Sequence, residues 1–107
     1  MIDKIFEDIR EERKRQNEKW GEQNHPMLNG RFTIEAMTEK LYMYKALNEI
    51  LKNPNWYSIL LEEVYEAFAE TKPEKQREEM IQVAAVAVQI IEYLDRSVNH
   101  DTETKMP

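Results

Sequence analysis

The sequence predicts an all-α protein, an antiparallel four-helix bundle-like fold, on three observations. Two glycines and four prolines in 107 residues leave little material for hairpins. Apolar residues recur at helical spacing along four stretches. Short connections between those stretches favour antiparallel neighbours. The length suits a single domain over residues 1–98 with one modest core, followed by a flexible C-terminal tail at 99–107.

The first helix is expected over residues 1–20, where Ile2, Ile5, Phe6 and Ile9 keep the i, i+3, i+4, i+7 spacing. The same stripe runs on to Arg13, Gln16 and Trp20, so polar groups stand where core residues would be expected. Either the helix end projects beyond the bundle, or these residues have an inward functional role. Residues 21–31, GEQNHPMLNGR, hold both glycines and read as a loop. The second helix, roughly 33–52, carries Ile34, Met37, Leu41, Tyr44, Leu47 and Leu51, and Pro54 is expected to stop it. Asn55 is positioned to cap a third helix over about 56–70. Thr71 and Glu74 have capping-box spacing with Pro73 in the first turn, opening a fourth helix over about 72–97.

Bulk composition narrows the function. A formal charge of −6 opposes non-specific binding to a nucleic acid polymer. Polyphosphate substrates stay admissible, because bound divalent cations reverse the local potential. The longest apolar run, VAAVAV, is far too short to cross a bilayer, so no membrane is expected. The absence of cysteine fits a reducing compartment, and the charged start MIDKIFEDIREERK has no apolar signal core. The expectation is a soluble, cytoplasmic protein.

The chemistry concentrates in EEVYE, residues 62–66, and EEMIQ, residues 78–82. At roughly 100° per residue, Leu60, Val64, Ala67, Trp56, Tyr57 and Phe68 define the apolar arc of the third helix. Glu63 falls at the edge of that arc, and Glu66 and Glu70 extend the edge. Glu62 points nearly opposite Leu60 and should be the most exposed. The fourth helix is apolar nearly all round, which predicts burial on several sides. Glu79, Gln82 and Gln89 form a narrow polar stripe along it. The turn near 71–73 sets Glu63 and Glu66 opposite residues 78–82, so Glu63/Glu66 and Glu79/Gln82 meet across one helix interface. Such oxygen donors suit Mg²⁺ or Mn²⁺, and without a cation they would repel one another. A solvated acidic face balanced by Lys72, Lys75 and Arg77 is the plain alternative. Glu92 and Asp95 lie roughly 20 Å further along the helix axis and are assigned to the surface. Among free cations, Lys45 is the first candidate for a phosphate, followed by Lys40, Arg13 and Arg77. Trp20 and Tyr44 are either base-stacking groups or core. Glu22 and His25 have di-iron spacing, yet Pro26 follows and no second such pair exists.

The EEVYE block, EEMIQ on the next helix, the flanking WYSILLEEVYEAFAE and REEMIQVAAVAVQIIEYLDR, and EERKRQNEKWGEQNHP together resemble the MazG-like all-α nucleoside triphosphate pyrophosphohydrolases. These blocks also look like a small phage and bacterial branch of that family. Its pattern is EExxE followed by ExxD; Glu62, Glu63 and Glu66 match the first half and Glu79 the second, while Gln82 stands at the aspartate position. The resemblance implies Mg²⁺-dependent (or Mn²⁺-dependent) cleavage of a (d)NTP between its α and β phosphates, giving (d)NMP and pyrophosphate, in nucleotide-pool house-cleaning. By matching positions it implies Glu63, Glu66 and Glu79 as metal ligands, with Gln82 a weaker, neutral oxygen donor. Glu62 or Glu63 would orient the attacking water. Arg13, Gln16 and Trp20 belong to the resembling N-terminal block and would cover the nucleotide. A homodimer or larger assembly such as a tetramer is implied as well. The reading from another class is a non-catalytic helical interaction or nucleotide-sensing module, favoured by Gln82.

Overall fold

The computed structural model describes residues 2–52 and 54–105, with residues 99–105 described for their backbone alone. Among the described residues it is all-helical: α1 (Ile2–Trp20), α2 (Ile34–Glu49), α3 (Trp56–Ala69) and α4 (Pro73–Lys105). The chain divides into two compact units, Met1–His25 with Val88–Pro107, and Pro26–Ala87.

The unit Pro26–Ala87 is organised by α2 packed on α3. Thr33 starts α2 by accepting the Ala36 N–H through its hydroxyl at 3.1 Å. Helix α2 ends earlier than Pro54 requires. Both Ile50 N and Leu51 N reach back to the Ala46 carbonyl, and Lys52 then adopts φ 49°, the left-handed region. The backbone leaves the helix through this turn. Asn55 caps α3 as expected, and Ser58 completes a capping box: Asn55 Oδ1 accepts the Ser58 N–H at 2.8 Å, and Ser58 Oγ accepts the Asn55 N–H at 3.1 Å.

Tyr44 is the centre of the α2–α3 contact. It is 8% exposed, stacks on Tyr65 with ring centroids 5.7 Å apart, and meets Tyr57 edge-on at 6.1 Å. Its hydroxyl lies 3.5 Å from that of Tyr57, a bond that with burial pushes its pKa up to about 12, so it keeps its proton at neutral pH. Of the two roles open to Tyr44, it takes the core one. Ala67, fully buried on α3, receives the start of α4: its carbonyl accepts from Gln76 Nε2 at 3.0 Å.

The α3–α4 turn departs from the Thr71/Glu74 capping box. Gln76 N donates to the Lys72 carbonyl at 2.8 Å, which makes Lys72 the cap residue and leaves Thr71 one position outside the helix. The Glu70 carboxylate takes the orphan N–H groups of Thr71 and Lys72, each at 3.1 Å. Beyond residue 97, where apolar periodicity ends, α4 continues to Lys105, since no glycine or proline intervenes. Of the expected tail at 99–107, Met106 and Pro107 lie outside the described residues.

In the unit Met1–His25 with Val88–Pro107, Ile5 and Val88 are buried, at 4% and 5% exposure. Helix α1 carries the ion pairs Lys4–Asp8, Lys14–Glu11 and Arg15–Glu12, all well exposed and therefore of little weight for stability.

The fourth helix, expected to be buried on several sides, leaves much of its apolar surface open. Ile81 is 51% exposed, Leu94 52%, and Ala84 and Ala85 are also open. Among the described residues no large side chain is fully buried.

Replacing Asn55 with Ala removes one half of the capping box and is expected to lower unfolding free energy by about 1 kcal/mol. Denaturant melts followed by circular dichroism read this directly. Asn55→Asp, which retains an acceptor, should stay within a few tenths of a kcal/mol of the parent, about the scatter of such melts.

Candidate functional site

Helix α3 presents Glu62, Glu63 and Glu66 from a single turn, and one carboxylate oxygen of each lies within 4.8 Å of the others. All three are half-buried. Glu62 is therefore not the outward residue that α3 periodicity suggests. The reason is on α2: Asn48 Nδ2 donates to Glu62 Oε1 at 2.8 Å and draws the carboxylate onto the helix pair.

Helix α4 adds Glu79, also half-buried. The Glu63 carboxyl is held above the ordinary value of 4.5, first by burial and then by the charges of Glu66, Glu62 and Glu79. That of Glu79 is raised too, first by burial and then by Glu66, Glu70 and Glu78. Lys45 on α2 offsets part of both shifts as a nearby positive charge. Oε2 of Glu63 and Oε2 of Glu79 are each closed to solvent and accept no hydrogen bond. Buried acceptors without partners are costly. Carboxylate oxygens in mutual reach on α3, one of them on Glu63 orphaned and a second orphan on Glu79, are the donor type that hard cations take.

Gln82 is exposed. The carboxylates that meet here are Glu62, Glu63 and Glu66, with Glu79 coupled to them through charge. Lys40 and Arg77 are exposed; Glu92 is half-buried and Asp95 exposed.

Arg13, Gln16 and Trp20 come together in the other unit. They line a polar pocket of about 640 Å³ with Asn17, Gly21, Glu22 and Gln23. Arg13 Nη1 donates to Gln16 Oε1 at 3.0 Å, which presents the pair as one polar surface. Trp20 is 55% exposed, with Lys19 Nζ 4.8 Å from its ring centroid. Gly21, at φ 66°, turns the chain out of α1 and lets Glu22 and Gln23 close the pocket.

Two residues escaped the sequence reading, Asn48 and Ser58. The usable signal was that Asn48 lies three residues after Lys45, on the same face of α2. No family model, curated protein or solved structure matches the chain.

A carboxyl with a raised folded-state pKa contributes stability that is present below its ordinary value and lost as pH rises through the raised one. For Glu63 and Glu79, the metal-free protein should lose stability as pH climbs from about 4.5 towards 7. Glu63→Gln and Glu79→Gln should each flatten that decline and raise the melting temperature at pH 7. Mg²⁺ or Mn²⁺ should stabilise the parent at pH 7 and have little effect near pH 4.5. Calorimetry with and without a chelator tests all of this, and a decline unchanged in both variants would contradict it.

Proposed function

We propose that this protein is a metal-dependent nucleoside triphosphate pyrophosphohydrolase, resembling the MazG-like enzymes, that cleaves (d)NTP to (d)NMP and pyrophosphate. The observation that carries the reading is the half-buried carboxylate cluster with the orphaned Oε2 atoms of Glu63 and Glu79, and Lys45 nearby as a positive charge. Glu63, Glu66 and Glu79 would hold a divalent cation, Mg²⁺ or Mn²⁺, and Glu62, with an oxygen within 4.8 Å of those of Glu63 and Glu66, would add a carboxylate oxygen to the same ion. When bound, the cation supplies charge neutralisation on the phosphate oxygens. Without it, an anionic cluster would repel an anionic substrate.

The chain's own residues have distinct tasks. Lys45 provides a phosphate contact, placed by α2 next to the carboxylates it already compensates. Glu62 is held at Oε1 by Asn48, which leaves its remaining acceptor capacity to orient a water and take its proton. In the overall reaction, the water oxygen bonds to the α-phosphorus, the bond to the bridging oxygen breaks, and pyrophosphate departs with the electron pair. Arg13, Gln16 and Trp20 offer hydrogen bonds and an aromatic face to the nucleotide from their polar pocket.

Self-association belongs to the same reading. Ile2, Phe6, Ile9, Tyr42, Met43, Ile50, Leu51 and Ile81 are each more than a third exposed, more apolar surface than scattered residues account for. A homodimer or tetramer would cover it. Among the described residues no helix is long and apolar enough to cross a membrane, and the cysteine-free composition fits the cytoplasm. Gln82, exposed and neutral, favours one second reading: a module that binds nucleotide through the same carboxylates without cleaving it.

Phosphorus NMR of the protein with nucleoside triphosphates and Mg²⁺ or Mn²⁺ should show monophosphate and pyrophosphate appearing together. Orthophosphate with a diphosphate would mean other chemistry, and binding without turnover would select the sensing module. Glu62→Gln should lower kcat by roughly 10²–10⁴-fold; Glu63→Gln and Glu79→Gln should abolish turnover with helicity intact. Light scattering should give a mass of at least two chains.

A further inference from the structure

We propose that Asn48 is a positioning residue for the acidic site, one that fixes the Glu62 carboxylate against Glu63 and Glu66 through an amide whose sense is dictated by its neighbours. This rests on the metal-site reading above and adds a residue to it that neither the EEVYE nor the EEMIQ block contains.

Asn48 makes three of its four possible side-chain hydrogen bonds in one place. Nδ2 donates to Glu62 Oε1 at 2.8 Å and to the Ser58 carbonyl at 3.1 Å. Oδ1 accepts from Ser58 Oγ at 2.7 Å. A carboxylate and a carbonyl only accept, so the amide must turn its NH₂ towards both. The reversed orientation would set Oδ1 against the Glu62 carboxylate and leave two acceptors without donors. Ser58 enforces the same sense from the other side. Its hydroxyl proton is committed to Asn48 Oδ1, because the alternative acceptor, the Asn55 carbonyl, is further away at 3.1 Å. Ser58 is itself immobilised, 4% exposed and held in the α3 capping box.

The consequence falls on Glu62. Glu63 and Glu66 are charged neighbours whose oxygens come within 4.8 Å of its own. Left alone, a glutamate on a helix flank would relieve that repulsion by swinging its carboxylate into solvent. The Asn48 donor opposes this by holding Oε1. Asn48 and Lys45 share a face of α2, so one helix delivers both the group that holds Glu62 and the cation near Glu63 and Glu79. The arrangement is of the kind in which a partner behind a ligand raises metal affinity by fixing the ligand's orientation.

Mn²⁺ affinity, read by electron paramagnetic resonance of free Mn²⁺, is the primary readout, for the parent, Asn48→Ala, Glu62→Ala and the double variant. The isosteric Asn48→Leu keeps the packing if Asn48→Ala does not fold. Asn48→Ala or Asn48→Leu should weaken Mn²⁺ binding by about 10–100-fold and lower kcat with little change in nucleotide KM. In the Glu62→Ala background, the same change should cost less than about threefold further, since its target is gone. A parent that binds no Mn²⁺ would bring down the metal-site reading and this proposal together. A parent that binds while the Asn48 variants bind equally well would overturn this proposal alone. So would a variant that only melts earlier, or one whose loss is as large without Glu62 as with it.

Discussion

Everything about this chain's candidate chemistry follows from like charges forced together. Three carboxylates converge from one turn of α3 and a fourth is coupled from α4, while one ammonium lies nearby. Two unit charges at about 5 Å repel by roughly 3 kcal/mol at an effective dielectric near 20, and by less where solvent reaches them, as it does here. Even discounted, several such terms are a sizeable fraction of the roughly 5–15 kcal/mol that holds a domain folded. Lys45 cannot balance them alone. Part of the relief is visible in the raised pKa of Glu63 and Glu79, which favours their protonated forms; a divalent cation would give more.

What holds the cluster in place is shared with what starts α3. Ser58 closes the capping box with Asn55 and, through the same hydroxyl, fixes the amide of Asn48. One turn further along, Glu62 accepts from that amide. The beginning of the helix, its register against α2 and the pose of a site carboxylate therefore hang on one small polar group. Tyr44 locks the same two helices from the apolar side by stacking on Tyr65 and abutting Tyr57. Rotating α3 by one residue would break both contacts at once, so the carboxylates inherit the rigidity of the helix pair.

Periodicity carried the sequence reading a long way because helices and their caps are local. Four helices, the loop from Gly21 and the Asn55 cap were legible, as was the inward lean of Glu63. So was the grouping of Arg13, Gln16 and Trp20, since i, i+3 and i+4 steps on one helix bring side chains together whatever lies around them. The failures share a cause. The direction of a side chain on its own helix says nothing of what a second helix donates to it, which is how Glu62 was turned outward and Asn48 passed over. Lys52 in the left-handed region and Lys72 at the cap position were hidden because neither is the residue type those places favour. Apolar density on α4 was taken as burial, although burial also requires a surface to bury against.

That last point links the core to the site. Ile81 stands two residues after Glu79, half exposed on the helix that carries it. Two residues are roughly 200° around a helix, so Ile81 points away from Glu79. In the proposed oligomer a second copy covering such surfaces would dry the cluster only where it also reaches the carboxylate face. Drier surroundings strengthen every charge interaction in the cluster, repulsive and attractive alike. Without a cation, association would then oppose itself by stiffening the repulsion among the carboxylates. With one, association and ion binding would reinforce each other, because each makes the other's interactions stronger. A chain with a sparse core and a crowded acidic site thus has one physical route to improve both, and the two halves of the proposed function are a single thermodynamic linkage.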